Sequence, residues 1–184
     1  MTAMATKSIR VLVWLVEGTW QGCVDAAHPL LPADAEITLL HVTPGEVAEA
    51  AAGALAGLLG RGRPGPGRHP AERIGALSEQ AAAELLTAAT ARLGRQAERQ
   101  ARTGRVERVV VEAAGAADLL VAARDGDCSR LGPASLGPAT RFVVDHAPCP
   151  VLLVWPDEAP GIESIPPPPP HPPRPGPPPP PPRH

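Results

Sequence analysis

The sequence predicts an α/β domain in which a mainly parallel sheet is covered by helices on both faces, and three observations predict it. Short apolar runs rich in β-branched residues recur at 9–16, 37–42, 118–122 and 151–155, without the strict alternation of a strand exposed on one side. Segments of helical spacing or composition separate them, so strand and helix alternate along the chain. Gly- and Pro-rich turns follow the strands, and a long one after 118–122 leads into a short helix. Crossovers in such a sheet are right-handed.

The first strand, 9–16, is interrupted only by Arg10 and ends at Glu17, Gly18 and Thr19. Residues 20–31 read as a short helix stopped near Pro32, weakened by Gly22 and Pro29. A second strand, 37–42, ends at Thr43, Pro44 and Gly45. The Ala/Leu-rich stretch 46–59 reads as a helix, and 60–70, dense in Pro and Gly, as a mobile surface loop. From residue 71 onward, Ile74, Leu77, Ala81, Leu85, Ala88 and Ala89 recur at three- and four-residue intervals, which predicts one apolar stripe buried against the sheet. That stripe fades after Leu93 in GRQAERQARTG, so a third strand near 101–106 is a poor one at an edge. Residues 106–114 read as a helix with Val109, Val110 and Ala113 inward, and 118–122 as the fourth strand. Pro138, at a first helical position where its missing N–H breaks no internal bond, opens a helix running to about His146. Pro148 and Pro150 end it and lead into the last strand, formed by Val151, Leu152, Leu153, Val154 and Trp155.

After Ile165 the composition changes, since 14 of the 19 remaining residues are proline, and an extended polyproline II segment is expected. The organisation is thus a flexible N-terminus at 1–8, one domain at 9–157 carrying the mobile loop 60–70, and a disordered proline-rich tail at 158–184. With 17 basic and 19 acidic residues in 184 and a net charge of -2, the chain has no basic stripe of the kind a nucleic-acid backbone requires. No apolar run approaches the roughly 18 residues of a membrane span, and MTAMATKSIR lacks an apolar signal core, so the cytoplasm is the expected location. Cys23, Cys128 and Cys149 share no metal-ligand spacing and read as reduced thiols, with no metal expected.

In an open parallel sheet, ligands bind beyond the carboxyl ends of the strands. There the sequence places Glu17, Gly18 and Thr19, then Val42, Thr43 and Pro44, then the loop 123–136. A helix opening at Gly137 turns free N–H groups and its positive dipole end toward an anion. Gly126, Gly132 and Gly137 let the backbone approach a ligand, and Arg124, Arg130 and Arg141 are available cations. Ser129, Ser135 and Thr140 read either as hydroxyl donors to phosphate or as ordinary loop and cap residues. No catalytic set stands out: His28, His41 and His146 lie apart in sequence, without a glycine-framed nucleophile or paired carboxylates, and His146 reads as an end-of-helix residue. A non-enzymatic protein is expected.

Three segments in order resemble the UspA-like universal stress protein family in an actinobacterial style. Glu17-Gly18-Thr19 resembles its Asp-Gly-Ser, Ala117-Asp118-Leu119-Leu120-Val121 its ADLIV strand, and the HAPCPVLLV that begins at His146 its HAPCPVLVV ending. The resemblance covers about 8–156. It implies a three-layer, Rossmann-like open parallel sheet of five strands in the order 3-2-1-4-5, with the weak third strand at an edge, and a homodimer through the last strand, from Val151 to Trp155.

The same resemblance implies an ATP site built on Gly-x2-Gly-x9-Gly-Ser/Thr. Ala123, Gly126, Gly137 and Pro138 fall on that motif and Ala139 and Thr140 follow it; with Glu17, Gly18, Thr19 and Val42 they make up the candidate cofactor site. The motif is degenerate here. Ala123 stands for the first glycine, one residue is inserted after Gly126, Pro138 removes both a hydroxyl and an N–H, and Glu17 is one methylene longer than the family's acid. The reading is therefore a cytoplasmic, non-enzymatic stress-response factor binding ATP or another adenine nucleotide. Its alternative is a nucleotide-independent interaction module that uses the dimer surface and the proline-rich tail, the latter docking to an aromatic-lined groove of a partner or remaining a solvated appendage.

Overall fold

A computed structural model of the chain describes residues 8–45 and 70–167, the side chains of 70–74 excepted. The expected helix at 46–59, the loop from 60 to 69 and the tail beyond 167 lie outside the described residues. Five strands, β1 (Arg10–Leu15), β2 (Glu36–Pro44), β3 (Glu98–Gly104), β4 (Leu119–Ala123) and β5 (Val151–Val154), form one sheet. Their order is β3-β2-β1-β4-β5 and every neighbouring pair is parallel, as the resemblance implied. The helices are α1 (Trp20–Leu30), α2 (Pro70–Leu93), α3 (Val106–Ala114) and α4 (Pro138–His146). Among the described residues, no helix is long and apolar enough to cross a membrane.

Side chains alternate across a strand, and the two faces of β1 show what each layer buries. Val11, Val13 and Leu15 pack with Val24 of α1 and Leu86 of α2, whereas Leu12 and Trp14 pack with Val110 of α3 and Val143 of α4. Both faces are covered, so the run needs no polar alternation. At the amino end the Asp118 carboxylate ties β1 to β4, accepting from the Arg10 backbone N–H at 3.0 Å and from its guanidinium at 3.1 and 2.9 Å.

Three expectations change. The third strand begins earlier, at Glu98, and pairs with β2 from Thr38↔Glu98 to Pro44↔Gly104 although its sequence is polar. An edge strand whose side chains are exposed or half-exposed needs only its backbone ladder, so hydrophobic pattern does not announce it. In α2, the buried positions are Ala82, Leu85, Leu86, Ala89 and Leu93, while Leu77, Ala81 and Ala88 are exposed. A helix of 24 residues is about 36 Å long, against roughly 20 Å for a six-residue strand, so its early turns overhang the sheet. Pro70, placed in the loop by the sequence, is the first residue of this helix.

Candidate functional site: a cleft at the carboxyl ends of the strands

Beyond Leu15 the chain turns into α1, with the N–H groups of Thr19 and Trp20 both donating to the Val16 carbonyl, at 3.1 and 3.0 Å. Gly18 takes φ +82, where a side chain would be strained, so the turn itself requires glycine. Beside it β2 delivers His41, Val42, Thr43 and Pro44 to the same rim. His41 is buried, with Nδ1 3.0 Å from the Leu15 carbonyl oxygen. A carbonyl only accepts, so Nδ1 carries the hydrogen and Nε2 of the neutral ring is left as an acceptor.

These ends, the starts of α3 and α4 and the overhanging turn of α2 enclose a cavity of about 560 Å³. That volume suits a small organic ligand. Leu15, Val16, Val42 and Ala139 give it apolar walls, and the exposed Leu77 stands at its edge. Its polar side chains are Glu17, His41, Thr43, Ser78 and Asp125; no lysine or arginine among the described residues lines it.

The loop after β4 folds back on itself with Asp125 at the cavity, and Gly137 caps α4 with Pro138 as first helical residue, as the sequence predicted. Three of its amides, however, are bonded within the loop. Gly126 N–H donates to the Ser135 carbonyl at 3.0 Å, Asp127 N–H to that of Ala134 at 2.8 Å, and Gly137 N–H to Asp125 Oδ1 at 2.8 Å. A Cβ on Gly126 would stand 2.3 Å from the Ala134 oxygen, and one on Gly137 2.8 Å from Asp125 Oδ1. Both glycines thus serve close approach of the loop to itself rather than to a ligand.

The cations are engaged as well. Arg124 donates to Ser135 Oγ, Arg130 pairs with Asp127 at 3.2 Å, and Arg141 donates to the Pro133 carbonyl at 2.6 Å. The hydroxyls of the exposed Ser129 and the buried Ser135 are bonded within the loop as well, donating to Asp127 Oδ1 and the Gly132 carbonyl. Thr140 Oγ1 is buried without a hydrogen-bond partner among the described residues. His146 closes α4, with Nδ1 2.8 Å from the Phe142 carbonyl oxygen.

Of the ten residues proposed from sequence, Glu17, Val42 and Ala139 line the cavity. Gly18 and Thr19 shape the turn beside it, and Ala123 is buried in the core on the α1 face. Gly126, Gly137, Pro138 and Thr140 build the loop and helix start to which Asp125 is bonded. Among the polar lining residues, His41, Ser78 and Asp125 are those that sequence reasoning did not name at the site. Asp125 could have been found from its place directly before Gly126, where a carboxylate adjoins the expected anion seat.

The cleft therefore offers two environments to the ATP that the resemblance led one to expect. Apolar walls with acceptors suit its nucleoside end, while the N–H of Gly137 and the loop cations that its phosphates need are already bonded within the protein.

A larger hollow, about 1100 Å³, lies at the opposite rim, beside β3 and the carboxyl ends of α2 and α3. Charges of both signs line it, among them Arg10, Glu36, Glu98 and Arg102, and the helices turn their negative dipole ends there. It is a trough along the exposed edge strand, without converging groups.

The sequence model described as the universal stress protein family matches residues 23–154. No curated protein matches the chain. Among solved structures, the chain is similar to hypothetical protein MJ0577, with a TM-score of 0.59 and 16% identity over 82% of this chain and 98% of that one. It is similar to universal stress protein UspA from Lactobacillus plantarum, with a TM-score of 0.53 and 19% identity over 81% and 99% of the two chains. A universal stress protein solved in complex with cAMP has a TM-score of 0.51 and 17% identity over 82% and 98%. At these identities the likeness to structures speaks for the fold.

Proposed function

The chain belongs to the universal stress protein family, and from that premise we propose that it is a cytoplasmic stress-response factor acting by binding rather than turnover. In this reading the carboxyl-rim cavity takes ATP or another adenine-bearing ligand. The observation that carries it is the cavity itself, about 560 Å³, apolar-walled and bounded by the ends of β1 and β2. A protein of the same fold solved with cAMP makes an adenine compound the first ligand to try. Val42 and Ala139 supply apolar surface for the base, and Glu17 and His41 accept from its amino group.

Melting and titration of the full chain with adenosine, cAMP and ATP test this. At least one of the three is expected to raise the melting temperature, and Ala139→Trp, which fills the cavity, is expected to abolish the rise. Unchanged melting and unchanged amide exchange with all three would sink the reading.

One observation favours a second reading, a nucleotide-independent interaction module. Strand β5 is a sheet edge whose four residues, Val151, Leu152, Leu153 and Val154, are all only half-buried, and such an edge calls for cover. A homodimer through this strand supplies it, and the proline-rich tail adds a docking segment for an aromatic-lined groove. Sedimentation of a monomer at tens of micromolar would remove the dimer.

A further inference from the structure

The loop after β4 brings its own anion to the start of α4. Asp125 Oδ1 accepts the Gly137 N–H at 2.8 Å, and a Cβ on Gly137 would lie 2.8 and 2.9 Å from the two carboxylate oxygens. A carboxylate there satisfies an orphan donor and the positive helix end as a phosphate would. The next residue, Pro138, has no N–H to offer in its place.

Asp125 also lines the cavity, together with the exposed Glu17. His41 adds an acceptor, because its Nδ1–H is committed to the Leu15 carbonyl. The hydroxyls of Thr43 and Ser78 can act either way. Nothing cationic among the described lining residues balances the two carboxylates.

We propose that Asp125 makes this cavity selective for an uncharged nucleoside bearing amino donors and against the phosphate chain of a nucleotide. The inference deepens, and rests on, the reading that the cavity takes an adenine ligand. A phosphate arriving at the α4 start must displace the carboxylate from Gly137 and then lie beside that carboxylate and Glu17. Like charges at such range oppose binding. A neutral nucleoside incurs neither cost, and its exocyclic amine donates to groups that only accept.

Calorimetric titration of the full chain with adenosine, cAMP and ATP, in EDTA and in magnesium, tests the proposal. Affinity is expected to fall as phosphate charge is added, with adenosine ahead of ATP by about tenfold or more. Asp125→Asn keeps an acceptor for Gly137 and removes the charge. It is expected to narrow the gap between adenosine and ATP by about tenfold. ATP binding as tightly as adenosine in either buffer overturns the proposal and leaves the adenine reading standing, whether or not the variant folds. A gap unchanged in Asp125→Asn overturns it too, and failure of all three ligands to bind overturns both.

Discussion

The guanidinium of Arg124 lies 4.5 Å from the centroid of the Trp155 ring, joining the residue after β4 to the residue after β5. Arg124 is held at two further points, its N–H donating to the Val154 carbonyl at 2.9 Å and its Nη1 to Ser135 Oγ. The edge strand and the loop after β4 are therefore one mechanical unit. Trp155→Ala is expected to lower stability by about 1–2 kcal/mol through the lost cation–π contact and packing. Urea unfolding measures the loss, and faster amide exchange across 124–137 shows that it reaches the loop. Exchange confined to β5 would contradict the coupling.

Gly22 of α1 packs against the chain leaving β5, where an added Cβ would stand 2.8 Å from Pro156 Cα, Pro156 O and Trp155 O. All three are backbone atoms, which cannot swing aside as a side chain can. Gly22→Ala is expected to destabilise by about 1–3 kcal/mol despite the better helix propensity of alanine. At Gly75 in α2 the same Cβ would meet no atom of the described residues within 4 Å, so Gly75→Ala is expected to stabilise by up to about 1 kcal/mol. Chemical denaturation of the two variants should move in opposite directions; a neutral Gly22→Ala would mean that α1 and β5 can part.

Cys23 is fully buried, with Sγ 3.5 Å from the Trp14 carbonyl oxygen. Burial pushes its thiol up to about 12 from the ordinary 9.0, against a weaker opposing hydrogen bond with the Ala123 backbone. The folded state thus keeps the proton longer than the unfolded state. This contribution to stability is whole below about pH 9 and is lost as pH rises toward about 12, by up to about 1.4 kcal/mol per pH unit. Urea midpoints should fall with rising alkaline pH more steeply in the native sequence than in Cys23→Ala. Equal slopes would place the alkaline sensitivity elsewhere.

What was legible in the sequence was what repeats a physical pattern. Buried on both faces, β1 from Val11 onward and β4 are written as apolar runs, and Pro138 marks the start of α4 by the one helical position that tolerates it. Strand β3 was misplaced because the backbone ladder to β2 carries it while its side chains stay polar. The stripe on α2 was misassigned for a geometric reason: spacing reports which residues share a face, not how far a long helix overhangs a short sheet, so Leu77 and Ala81 ended at the cavity instead of in the core. At the site, glycine positions were legible but their partners were not. A glycine that admits a phosphate and one that admits the carboxylate of Asp125 look the same in one dimension.

The described chain beyond β5 does not simply leave the domain. Ser164 Oγ accepts the N–H of Leu131 at 3.0 Å and donates to the Gly161 carbonyl at 2.6 Å, which clasps the segment preceding the tail to the loop after β4. Ile162 and Ile165 on either side are 79% and 54% exposed, so hydrogen bonding rather than burial is what holds this turn. A chain ending at Pro167 retains the clasp and is expected to melt like the full chain. One ending at Pro160 loses it, with an expected cost of about 0.5–1.5 kcal/mol and faster exchange of the Leu131 amide. Ser164→Ala separates the clasp from the tail, because it should reproduce the exchange change with every proline still present. If the Leu131 amide exchanges at the same rate in all of these chains, the loop stands without the clasp, and a partner bound at the tail has no route through Ser164 to the cavity.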